Sequence, residues 1–277
     1  PSRFSMMSGQ LSSRIGAYDN ASEFLASVPT FAHYLRDLGY KTCLSGKMHF
    51  VGPDQLHGFE ERITTDIYPS DFGWTPDWSQ TDFPFAPSVM SLRGVVEAGL
   101  CTRSLQLDYD EEVCFTSVKK IYDYARDQDD RPFFLTASFS HPHNPFTITQ
   151  EYWDRYDHDE IDLPSVPFIP FEDRDPWSQR YYHLIRQDEH DVSDDIIRTA
   201  RRAYYGMISY VDDQVGKLMT ALQETGLADN TVVIFTADHG DMMGERGMWF
   251  KFNPYEWSVR VPLIVSSPSG VKNHVEE

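Results

Sequence analysis

Four short apolar or β-branched runs, Tyr40–Leu44, Phe133–Phe139, Thr231–Ala237 and Val261–Ser266, are each bounded by Gly, Pro or polar residues and read as buried strands. Between them the apolar positions change to the helical period. Pro29 to Gly39 puts Phe31, Leu35 and Leu38 on one stripe, with Gly39 as the stop. From Asp110 to Ala125, Val113, Val118, Ile121, Tyr122 and Ala125 do the same. The clearest pattern spans Asp194 to Thr225, where Ile197, Ala200, Tyr204, Met207, Ile208, Val211, Val215, Leu218 and Leu222 recur. Ser193 is its expected N-cap, Asp194 and Asp195 suit the positive end of the helix dipole, and Gly226 ends it. Helices alternating with strands predict an α/β sandwich with a mostly parallel sheet, and such sheets collect reactive groups at the carboxyl ends of their strands. Two long stretches, Phe50–Tyr109 and Gln150–Val192, lack periodicity and are rich in Pro, Trp, Asp and Tyr. They are too aromatic for linkers and are expected to wall a site.

Composition narrows the partners. The 277 residues are 40% hydrophobic and 14% aromatic, enough for a substantial core in a single domain over 1–277. Lys and Arg number 24 against 43 Asp and Glu, a formal charge of −19 that argues against nucleic acid as a partner. No run approaches the ~18 apolar residues of a membrane span. Cys43, Cys101 and Cys114 form neither a disulfide framework nor a zinc pattern, so a reducing cytoplasm is the expected compartment.

Candidate chemistry lies in motifs that follow these strands or open a helix. In PSRFSMMSG, Pro1 suits a first helical turn, Arg3 projects from it and Gly9 stops it. SGKMHF places Lys47 and His49 two apart after a strand, pointing the same way if the extended conformation continues. SHPHNPF offers His141 and His143 just past Phe139, with Asn144-Pro145 fixing the backbone beside His143, the preferred proton donor. In TADHGDMMGERGMWFK, Asp238 and His239 can face a divalent ion where the chain turns at Gly240, and Lys251 follows Trp249-Phe250. Taken singly, each residue also fits an ordinary role as a cap, a loop lysine or a satisfied histidine. Their joint occurrence points to a cationic site for a tetrahedral anion.

These motifs resemble the type I sulfatases of the alkaline phosphatase superfamily. The signature of that family is Cys-x-Pro-Ser-Arg followed by a short helix ending in Gly, and PSRFSMMSG matches it from the third position. Within the family the resemblance is closest to the choline sulfatases, through SGKMHFVGPDQLHGFEERITTDIYPSDFGWTPDW and ADHGDMMGERGMWFK. It implies an alkaline-phosphatase-like sandwich, incomplete at both ends, forming part of a single sulfatase-type catalytic domain. It further implies hydrolysis of choline O-sulfate to choline and sulfate through a formylglycine sulfate ester, the formylglycine being expected two residues before Pro1. An aryl sulfatase, a phosphonate or phosphate monoester hydrolase, and a non-catalytic sulfatase-like protein are the alternatives.

By the same resemblance Arg3 would stabilise the formylglycine and sulfate, and Lys47 and Lys251 would bind sulfate oxygens. His49 would act on the hydrated formylglycine and His143 would face the leaving oxygen. Asp238 and His239 would hold calcium, with magnesium as the alternative ion. The family's other metal carboxylates would lie upstream of Pro1, so residues 1–277 alone are expected to be inactive, and the full-length protein to be a homo-oligomer. Trp74 is the chosen residue of an aromatic cage for trimethylammonium, with Phe72, Trp78, Asp71 and Asp77 beside it.

Overall fold

The computed structural model describes residues 1–68, 79 and 91–270. In chain order these form α1 (Ser2–Ser8), α2 (Phe31–Asp37), β1 (Lys41–Gly46), β2 (Glu61–Arg62), α3 (Arg93–Val96), β3 (Gly99–Leu100), α4 (Leu105–Arg126), β4 (Phe133–Ser138) and β5 (Thr147–Ile148). There follow α5 (Gln150–Trp153), α6 (Pro176–Leu184), α7 (Asp194–Glu224), β6 (Val233–Thr236), α8 (Glu256–Val259) and β7 (Leu263–Ser266). All four predicted strands and all four predicted helices, the short one after Pro1 included, are present, with ends shifted by a few residues. The largest shift is in α4, which starts at Leu105 because the Ser104 hydroxyl caps it by accepting from the Leu107 N–H at 3.2 Å. The structure adds α6, whose N-cap Asp175 accepts from the N–H groups of Trp177 and Ser178 ahead of Pro176.

β1 is central in a parallel sheet of order β2-β1-β4. All six of its residues are buried, and Cys43 and Leu44 are fully enclosed. β3 pairs with β5, also parallel, whereas β6 and β7 pair antiparallel, with Thr236 opposite Leu263. Strand pairing is thus mostly parallel, and the exception has a simple cause. Between them lie a 3-10 turn at Glu245–Gly247 and the four-residue α8, neither long enough to carry the chain back along the sheet as a crossover helix, so β7 re-enters at the end where β6 left.

Helix α1 is anchored by Phe4 and Met7, buried with Phe24 and Phe50; the Phe4 and Phe24 rings stack at 4.4 Å. Burying two such side chains contributes about 1.5–3 kcal/mol each, and Gly9, at φ 65, closes the helix with its N–H on the Ser5 carbonyl at 2.8 Å. Arg3, one turn from Met7, is thereby held at the carboxyl ends of β1 and β4. Those ends approach closely at Gly46 (φ 107), where a Cβ would stand 2.0 Å from the Ser138 carbonyl oxygen. α4 and α7 pack against one another, and α7 carries Ala200, Ala203, Met207 and Tyr210 into the main core with Trp249 and Phe250.

Candidate functional site

Lys47 is the first residue past β1, its N–H continuing the ladder to the Ser138 carbonyl at 2.9 Å. The extended conformation stops there, because His49 adopts φ 61. The two side chains therefore do not share a strand face; the turn, not the pleat, sets their directions. Arg3 donates from Nε to Asp238 Oδ2 at 2.8 Å, and from Nη1 to Ser138 Oγ at 2.8 Å and to the Lys47 carbonyl. Ser138 Oγ donates to that same carbonyl at 2.6 Å. One guanidinium so ties the ends of β1 and β4 to Asp238, just past β6.

The two candidate histidines after β4 have different surroundings. His141 is buried, its Nδ1 2.7 Å from Asp110 Oδ2 of α4, and Asp110 also accepts the N–H groups of Ser140 and His141 at 2.6 and 2.9 Å. His143 instead has Nε2 at 2.6 Å from the Lys251 ammonium and Nδ1 at 2.7 Å from the Asn144 carbonyl. The carbonyl can only accept, so Nδ1 carries the proton and Nε2 accepts from Lys251. Gln106 Nε2 holds the carbonyls of His143 and Asn144, each at 2.9 Å, and reaches the Tyr68 hydroxyl at 3.2 Å. The His143 ring also lies 6.4 Å from that of His239.

Burial and like charge shape the titration of this cluster. Lys47 is pushed down to about 7 by burial, then by Arg3 and Lys251, and its ammonium sits 5.4 Å over the Tyr68 ring. Burial lowers Lys251 to about 8, against the pull of Asp241 and Asp238. His49 falls to about 4 through burial and the Lys47 charge, and His143 lies well below its usual value through burial, Lys251 and Lys47. Burial works to raise Asp238, but Arg3, His239 and Lys47 outweigh it and hold the carboxyl well below the usual carboxylate range. Asp241, half-buried as a residue, is pushed up to about 6 by burial of its carboxyl while its Oδ1 accepts the N–H groups of Met243 and Phe250, both at 3.0 Å.

Asp238 and His239 follow β6 after Ala237, and Gly240 must be small: a Cβ there would meet the Trp257 carbonyl oxygen at 2.0 Å. His239 Nδ1 donates to the Gly240 carbonyl at 2.8 Å, which leaves a lone pair on Nε2, and Nε2 stands 3.7 Å from Asp238 Oδ1. Two lone-pair donors side by side, one anionic, fit a divalent cation. Among the described residues there is no group of three or more His, Cys, Asp or Glu able to hold a metal ion. The seven residues Arg3, Lys47, His49, His143, Asp238, His239 and Lys251 are brought together; Trp74 lies outside the described residues, as do Phe72, Trp78, Asp71 and Asp77. Gln106 and Asp110 are additions of the structure, carried on α4 with no local motif to reveal them.

The chain is 49% identical over 271 residues to the choline-sulfatase of Rhizobium meliloti (strain 1021), covering 97% of this chain and 53% of that enzyme. It is 29% identical over 290 residues to the arylsulfatase of Clostridium perfringens (strain 13 / Type A), covering 96% of this chain and 57% of the relative. The chain thus spans about half the length of these curated relatives. The phosphonate monoester hydrolase from Silicibacter pomeroyi shares the fold, with a TM-score of 0.71 at 22% identity over 98% of this chain and 59% of that one. A sequence profile described as Sulfatase matches residues 1–277, and the chain belongs to the sulfatase family.

Proposed function

We propose that these residues form part of a single catalytic domain that hydrolyses a sulfate ester, with choline O-sulfate as the substrate. The observation that carries the reading is the gathering of Arg3, Lys47 and Lys251, where burial first and then the charges of Arg3 and Lys251 lower the pKa of Lys47. Cations held against one another in a low-dielectric site favour a bound anion, which would restore the charge of both lysines. The 49% identity to a choline-sulfatase supports the sulfate ester as that anion and choline as the leaving alcohol.

Arg3, Lys47 and Lys251 would share the sulfuryl oxygens and neutralise charge as the ester bond lengthens. Lys251 donates to His143 Nε2 across 2.6 Å, and that proton would pass to the alcohol oxygen as it leaves. His49, neutral at working pH, would accept a proton in the release of sulfate. Asp238 and His239 would hold a divalent ion, calcium by resemblance, which when bound supplies fixed positive charge beside a formylglycine nucleophile.

The full-length protein, produced together with a formylglycine-generating enzyme, tests this against choline sulfate, an aryl sulfate and a phosphate monoester. Choline sulfate should be turned over best, and chelation should abolish activity. Turnover of none of them would overturn the reading. Trp74→Ala should weaken choline sulfate turnover more than aryl sulfate turnover, because an aromatic face over a quaternary ammonium contributes about 0.5–2 kcal/mol. Equal losses on the two substrates would remove choline from the proposal.

A further inference from the structure

Residues 61–66 run beside β1 and past its end. The Ile63 N–H donates to the Leu44 carbonyl at 2.8 Å, and Thr64 Oγ1 accepts the Gly46 N–H at 2.6 Å. Beyond the strand, Asp66 Oδ2 takes over, accepting the N–H groups of Met48 at 3.1 Å and His49 at 2.6 Å. Arg62 Nη2 donates to the same oxygen at 3.1 Å, and its Nε donates to the Thr64 carbonyl at 3.2 Å. The Asp66 and Arg62 side chains are 11% and 10% exposed. Two successive backbone N–H groups closing on one carboxylate oxygen form an anion-binding nest, here filled by a side chain of the same protein.

That nest lies where the local backbone is least self-supporting. His49, with φ 61, occupies a region costly for a residue bearing a Cβ, and such a conformation persists only where its surroundings dictate it. Immediately before it, the Lys47 carbonyl is held by Arg3 and by Ser138 Oγ. The Lys47–His49 turn is fixed on one flank by these donors and on the other by Asp66.

We propose that Asp66 is a positioning residue for the reaction: its carboxylate holds the Met48–His49 turn and so aims Lys47 and His49 into the site. The catalytic consequence rests on the sulfatase reading above; the clamp on the backbone does not. Lys47 and His49 are needed in their set directions as the transition state forms, so loss of the clamp is read in kcat rather than in KM.

The test compares the full-length wild-type protein with Asp66→Ala and Asp66→Asn, assayed for turnover of choline sulfate and an aryl sulfate. Asp66→Ala should lower kcat per folded molecule about 10- to 100-fold with KM altered less than about threefold. Asp66→Asn, which keeps a carbonyl oxygen for the two N–H groups, should recover kcat to within about tenfold of wild type. Hydrogen exchange at single-residue resolution should show the Met48 and His49 amides deprotected in Asp66→Ala while Thr42 to Leu44 stay protected. An unchanged kcat, an effect confined to KM, or an Asn variant as impaired as the Ala variant overturns the inference. If wild type turns over no ester, the sulfatase reading fails by itself, and unaltered protection of Met48 and His49 in Asp66→Ala then overturns the clamp. Should Asp66→Ala not fold, Asp66→Ser, whose hydroxyl is too short to reach both amides, replaces it in every comparison.

Discussion

Lys47 and Lys251 are ammonium groups whose surroundings work against their charge, burial first and neighbouring charges after it for Lys47, burial against two carboxylates for Lys251. With pKa values of about 7 and about 8, the free site loses positive charge as pH rises through neutrality. An anionic substrate favours the charged forms and lifts both values once bound. For the proposed hydrolysis, the full-length protein should therefore show kcat/KM, which reports the free site, falling above pH ~7, with the alkaline limb of kcat displaced to higher pH. A level kcat/KM between about pH 6 and about pH 9, or coincident limbs, would contradict these assignments. Lys47→Met, a near-isosteric loss of charge, should reduce kcat/KM by about 10²–10³. His143 gives the same site its directional character, since the Asn144 carbonyl fixes the Nδ1 proton and leaves Nε2 to Lys251.

At the scale of elements, the exit from β4 depends on α4. Asp110, fully buried, accepts the N–H groups of Ser140 and His141 together with the His141 ring. Asp110→Ala would strand these donors in the interior and should cost about 1–3 kcal/mol for each one left unsatisfied, read as a lower denaturant midpoint in the full-length protein, with a loss of turnover because His143 is two residues further on. Asp110→Asn should retain part of the stability through its carbonyl oxygen, and an unmoved midpoint in the Ala variant would refute the role. Asp110 also illustrates which features the sequence makes visible. The periodic stripe of α7, its Ser193 cap and the Gly9 stop of α1 are local in sequence and physically sufficient, so they could be read directly. The candidate residues beside strand ends were legible for the same reason: each motif abuts a recognisable strand. What remained invisible is long-range. Arg3 and Asp238 are 235 positions apart, Gln106 reaches across from α4, and the two-residue strands β2, β3 and β5 are too short to display any period. The turn at His49 has no periodic signature, because its backbone is held by Asp66 and not by the local chain.

For the molecule as a whole, the formal charge of −19 conceals a second population of titrating groups. His49, His57, His143 and His239 all have pKa values below the ordinary histidine value, with burial the largest cause for each. His57 is fully enclosed between the rings of Phe24 and Phe50, at 4.2 and 4.5 Å. A histidine held neutral in the fold but free to charge in the unfolded chain binds fewer protons when folded. Its contribution to stability is complete above the unfolded value, about 6.5, and is lost as pH falls toward the folded value, which is about 4 for His49 and His239. Asp238, depressed by its cationic neighbours, works in the same direction at still lower pH. Asp241 opposes both, since burial raises it to about 6 and its protonation therefore favours the fold below that value. Four groups against one leaves a clear sign: stability should decline between about pH 6.5 and about pH 4, by up to roughly 1.4 kcal/mol per pH unit for each titrating histidine. Thermal melts of the full-length protein across that range should show a falling midpoint, and His57→Phe, which keeps an aromatic ring in the same apolar enclosure, should flatten the fall. A midpoint that stays level or rises on acidification would mean that these imidazoles are not buried in their neutral form.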